Sequence, residues 1–143
     1  MISRVLVPVD DSEMAEHALE HALEHALEVY PDAEVSVLHV VGEPSPMWGE
    51  AAGLALADDL EAAAEACAEP VLERATAVAA DHGREITTTV QLGHPARAIV
   101  NQAEDYDVVV LGSHGGSLVD RVIVGNVAET VFRRSPVPVT VVR

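Results

Sequence analysis

The chain reads as an α/β domain built on a doubly wound, five-stranded parallel sheet with helices on both faces. Three observations carry that reading. Short β-branched runs alternate with longer helical stretches along the whole chain, the order expected of successive βαβ units. The run Val108 to Leu111 is unbroken apolar, as in a strand covered on both faces. Glycine, proline and acidic residues gather where the strand runs end, which is where sheets of this class bind their ligands.

In chain order, Arg4 to Val9 is the first strand and Asp10-Asp11-Ser12 leads out of it. Ser12 suits a helix N-cap, and Glu13 and Glu16 sit well in the first turn. That helix is expected to reach about Tyr30. Its HALE unit occurs three times, placing Leu19, Leu23 and Leu27 with Ala15, Ala18, Ala22 and Ala26 on one apolar stripe. His17, His21 and His25 recur at a spacing that invites a metal reading. A four-residue step drifts ~40° per repeat from the α-helical period, and glutamates flank the histidines, so a solvated His/Glu face is preferred and no metal ligand is assigned.

Val35 to Val41 is the second strand, with His39 a satisfied core histidine. Gly42 to Gly53, with Pro44, Pro46 and the single tryptophan Trp48, reads as a long loop. A helix follows from Leu54 to about His82, capped by Gly83 and expected to kink or break at Pro70. Cys67 within it reads as a small hydrophobe. Glu85 to Leu92 is the third strand, Gly93-His94-Pro95 a turn, and Ala96 to Glu104 a helix. The fourth strand ends at Gly112. A helix from Asn126 to Arg134 leads to a last strand, Pro136 to Val142, whose prolines place it at an edge or bulge.

Composition narrows the function. The 143 residues suit one domain, 1–143, and 49% hydrophobic with 3% aromatic content implies a core of Val, Leu, Ile and Ala. The formal net charge is −16, and all 8 basic residues are arginine. Without lysine there is no Walker-type P-loop and no lysine Schiff base. A surface this acidic repels a phosphate backbone, so no nucleic-acid partner is expected. The excess of carboxylates resembles proteins of salt-loving organisms, whose self-repulsion is screened at high ionic strength. No stretch approaches the ~20 apolar residues of a membrane helix. The N-terminus does not read as a signal peptide, so a cytoplasmic protein is the expectation.

The segment Asp107 to Val127 reads as strand, glycine loop and helix start, an arrangement whose backbone N–H groups can cradle an anion. Gly112, two residues, Gly115, nine residues and Gly125 resembles the nucleotide-binding signature of the universal stress protein family, with Asn126 where its ATP binders usually carry Ser or Thr. The segments VLVPVDDS, VSVLHVV, Gly93 to Ala96 and SPVPVTVV are similar to other recurring family segments, so the resemblance spans the chain. It implies strand order 3-2-1-4-5 and an adenine nucleotide, ATP with or without Mg, or AMP, between strands one and four. Pro8, Val9 and Asp10 would surround the adenosine, with Asp10 accepting from the ribose hydroxyls, and Val40 would touch the adenine. Gly112, Ser113, His114, Gly115, Gly125, Asn126 and Val127 would hold the phosphates, with Arg121 a further source of positive charge. His114 and Asp120 suggest a hydrolytic variant, but no nucleophile, base and orienting group are identifiable together, so no catalytic residue is assigned. The resemblance implies a non-catalytic regulatory or stress-response protein, dimeric through Val137 to Val142. The alternatives are a slow ATPase on the same site and an interaction module that no longer binds nucleotide.

Overall fold

The computed structural model describes residues 2–42, 60–113 and 126–143. The elements are β1 (Arg4–Pro8), α1 (Glu13–His21), a π-helical segment (Ala22–Ala26), α2 (Leu27–Val29), β2 (Glu34–Val41), α3 (Leu60–Asp81), β3 (Thr87–Leu92), α4 (Pro95–Ala103), β4 (Val108–Gly112), α5 (Asn126–Arg134) and β5 (Val139–Val142). The five strands form one parallel sheet in the order β3-β2-β1-β4-β5. Among the described residues, no helix is long and apolar enough to cross a membrane.

Residue parity along the central strands divides the core into two. Val5, Val7, Val35, Val37, Val108 and Val110 pack on one face with α1 and α3, through Ala18, Leu19, Ala75 and Ala79. Leu6, Leu38, Val109 and Leu111 pack on the other with Ile99, Ala103 and Val131 of α4 and α5. A strand covered on both faces needs apolar residues at both parities, which is why these strands read as continuous runs. Small alanines on α1 and α3 let those helices lie close to the sheet.

Four expectations are corrected or sharpened. The first helical stretch is not uniform: a π-helical segment interrupts it before it ends at Val29. The wider π turn offsets the drift of a strict four-residue repeat, so Leu19, Leu23 and Leu27 all stay buried, at 1%, 5% and 3% exposure. It also brings the His21 and His25 rings to 4.7 Å between centroids. Among the described residues, no three His, Cys, Asp or Glu side chains are placed to hold a metal ion. Second, α3 runs through Pro70 without a break. Pro70 cannot donate to the Ala66 carbonyl, but both residues are exposed, so water can satisfy it. Third, both Pro136 and Pro138 precede β5 rather than lying within it, while β5 is an edge strand as expected. Fourth, His39 is only half satisfied among the described residues: Nδ1 lies 2.9 Å from the Val9 carbonyl oxygen, and Nε2 is buried with no partner among them. Trp48 lies outside the described residues.

Gly83 ends α3 as expected, at φ +67°, with the N–H of Arg84 donating to Ala79 O and that of Gly83 to Ala80 O. Just before it, the Val78 carbonyl and the Glu24 carboxylate face the two ring nitrogens of His82 and raise its pKa above the ordinary 6.5. That contact ties α3 to the π segment. At the same end of the sheet, where the strands begin, the Asp107 carboxylate accepts from the N–H groups of Ser3 at 2.8 Å and Arg4 at 3.0 Å, which holds it below the usual carboxylate range. The Arg4 guanidinium in turn stacks 4.6 Å over the Tyr106 ring. Together these contacts join the starts of β1 and β4.

Candidate functional site

The central strand β1 has β2 on one side and β4 on the other, so chain direction across the sheet reverses between β1 and β4. The two strands pair at Val5–Val108 and Leu6–Val109 and then part, whereas β1 and β2 stay paired to Pro8–Leu38. Pro8 explains the asymmetry. The Val9 N–H donates to Leu38 O at 2.8 Å, so residue 9 presents its backbone to β2, and Pro8, one residue earlier, faces β4. Proline has no N–H to offer, and the ladder on that side stops.

The gap opens into a crevice of about 390 Å³. Leu38, Val40, Pro95, Ile99 and Leu111 make its apolar end. Pro8, Val9, Asp10 and Ser12 form one wall, and Gly112 with Asn126, Val127 and Ala128 forms the other. Asp10 is held by accepting the Ser12 N–H at 2.9 Å, and Ser12 caps α1 by accepting from Ala15 N at 3.2 Å. The first residues of α5 line the crevice, so N–H groups without intrahelical partners and the positive end of the helix dipole lie at its polar wall.

Pro8, Val9, Asp10, Val40, Gly112, Asn126 and Val127 are thus brought to one cavity. Ser113 is not part of this lining: it is buried at the end of β4, and its N–H donates to Val142 O at 2.7 Å. His114, Gly115, Asp120, Arg121 and Gly125 lie outside the described residues. Sequence reasoning placed Ser12 and Pro95 at the strand ends without assigning them to the site, and missed Ala15, Leu38, Ile99, Leu111 and Ala128 as lining residues. The gathering of turn residues after strands one and three was the available signal for Ser12 and Pro95, whereas Leu38 and Ile99 carry only core character.

Gly112 has a different reason to be glycine than an approaching anion. A Cβ there would lie 2.7 Å from Met14 Cγ and 2.9 Å from the Met14 carbonyl oxygen, inside the first turn of α1. The position is glycine because a helix backbone packs on it.

A second cavity, of about 310 Å³, lies between α1 and α3 and shares Val9, Asp10 and Ser12 with the crevice. Leu19, Val71, Ala75 and Val78 line its interior, and Glu16 and Arg74, an ion pair, also border it. The turn after β1 therefore has a cavity on either side.

Comparison with known proteins agrees with this geometry. The sequence model of the universal stress protein family matches residues 1–143. The universal stress protein YxiE of Bacillus subtilis is 31% identical over 150 residues, covering 100% of both chains. The solved universal stress protein UspA from Lactobacillus plantarum superposes with a TM-score of 0.77 at 28% identity, covering 99% of this chain and 98% of that one. A universal stress protein solved in complex with cAMP gives 0.71 at 25% identity, covering 99% and 97%. With the sheet order, the crevice at the β1–β4 junction and a family match over its full length, the chain belongs to the universal stress protein family.

Proposed function

We propose that the chain binds an adenine nucleotide, ATP or AMP, in the β1–β4 crevice and acts as a non-catalytic regulatory or stress-response protein in the cytoplasm. One observation carries the reading: a single cavity of about 390 Å³ is lined by apolar residues of β2, α4 and β4, by the N-terminus of α5, which suits phosphate, and by Asp10. A relative solved with cAMP supports the class of ligand. Asn126 donates through its amide where a hydroxyl would be smaller, and with no lysine in the chain the α5 backbone carries much of the phosphate binding. Among the described lining residues Asp10 is the one carboxylate.

Calorimetry with ATP, AMP and cAMP tests this. Wild type should bind at least one of them, and Asp10→Ala should weaken that binding about tenfold or more, the loss expected when a charged hydrogen-bond acceptor is removed. No binding of any of the three overturns the proposal. Phosphate release that disappears in Asp10→Ala would replace it with a slow ATPase.

The working form in this reading is a homodimer through β5. Pro138 O and Val142 O accept bonds from β4, so by alternation the backbone groups of Val139 and Val141 face outward from the sheet edge. Val141→Pro removes an outward N–H without touching the β4 ladder. Light scattering after gel filtration should report a dimer for wild type and a monomer for this variant. A variant that remains dimeric places the interface elsewhere.

A further inference from the structure

His39 Nε2 is the buried side-chain nitrogen that, among the described residues, has no hydrogen-bond partner. The residue is 7% exposed, flanked in its strand by Val37, Leu38, Val40 and Val41, where leucine or valine would pack without leaving a polar atom unsatisfied. The other ring nitrogen indicates what the residue does. Nδ1 lies 2.9 Å from the Val9 carbonyl oxygen, and a carbonyl only accepts, so Nδ1 is the donor of this contact.

Val9 is the first residue past β1. Its N–H is held by Leu38 O and its carbonyl by His39, so both of its backbone polar groups are anchored to β2 beyond the last paired residues, Pro8 and Leu38. The Val9 carbonyl and the Asp10 N–H belong to one planar peptide unit, so fixing the direction of one fixes the other. Asp10 and Ser12 then form the wall of the crevice. Among the described residues cavities lie on both sides of this turn, and beyond the Asp10–Ser12 contact and the α1 cap it is the Val9 backbone that ties it down. The anchor comes from the sheet beneath it.

We infer that His39 is a positioning residue for the ligand crevice: its Nδ1–H clamps the Val9 carbonyl and thereby orients Asp10, and the unsatisfied Nε2 is the stability given up for that placement. This deepens the nucleotide-binding reading and rests on it.

Three measurements on the full chain test the inference. Nitrogen NMR of the histidine rings should show His39 as the neutral Nδ1–H tautomer. His39→Leu, which removes the clamp together with the unsatisfied nitrogen, should melt at or above the wild-type temperature while binding ATP or AMP about tenfold more weakly. His39→Gln, whose amide can donate to the carbonyl, should recover part of the affinity. An Nε2–H tautomer overturns the inference. So does a His39→Leu protein that melts lower yet binds with the wild-type Kd, or a loss of stability and affinity alike in both variants, the mark of a plain core residue. If wild type binds no adenine nucleotide, the functional reading fails separately. The clamp is then judged by hydrogen exchange at the Ser12 amide, which should speed up in His39→Leu, and unchanged exchange rejects it.

Discussion

Gly112→Ala should melt roughly 3–10 °C below wild type, with Gly112→Val lower still, as expected for an overpacking cost of about 1–3 kcal/mol in a domain of this size. The added Cβ would meet Met14 Cγ at 2.7 Å, the Met14 carbonyl oxygen at 2.9 Å and the carbonyl carbon at 3.0 Å. The methionine side chain can swing away. The carbonyl cannot, because Met14 lies in the first turn of a helix capped by Ser12 and anchored on the sheet by Ala15, Ala18 and Leu19. Relief therefore requires α1 and β4 to separate, which loosens a packed core. Thermal melts and nucleotide calorimetry on the same two variants separate the possible roles of this glycine. A normal melting temperature with lost binding would show that the missing side chain serves the ligand and that the steric account is wrong.

The second large effect concerns salt. With a formal net charge of −16 over 143 residues, the folded chain holds its carboxylates against one another. The Debye length falls from about 30 Å at 0.01 M to about 3 Å at 1 M, so in dilute buffer carboxylates across the molecule repel, and in molar salt only near neighbours do. Few cations offset this locally: among the described residues the arginine pairs are Arg74–Glu16 and Arg133–Glu129, both with exposed arginines, and such surface pairs contribute little. The melting temperature should rise by more than about 10 °C between 10 mM and 1 M KCl, a shift that sucrose at matched osmolality does not reproduce. A flat profile would mean that the acidic surface is well tolerated without screening.

The strands were legible because the core alternates between two helix layers, which forces apolar residues at both parities, whereas their order came from the family resemblance and not from the pattern. Gly83 was legible for a similar reason, since only a left-handed residue lets Arg84 reach back to Ala79. What the sequence hid depends on contacts between distant residues. Pro8 reads as an ordinary strand residue until β4 is seen beside it, and only then does its missing donor account for the parting of the strands. Gly112 reads as part of an anion loop until Met14 is seen packed against it. His39 reads as satisfied because one of its nitrogens is. The π segment went unread because a four-residue repeat fits an α-helix nearly well enough, and the strain accumulates over three repeats rather than at any one residue.

The clamp from Asp107 to Ser3 and Arg4 spans 104 and 103 residues of chain. It bears on how the protein is made. β1 emerges first from the ribosome, yet its β4 neighbour is not synthesised until residue 108, a wait of about 5–20 s at ordinary translation rates. Through that interval the strand destined for the middle of the sheet has an open edge and an uncovered Leu6, the kind of template on which nascent chains pair wrongly. The acidic residues that follow it, Asp10 and Asp11, sit where they can keep such chains apart until the centre of the sheet closes.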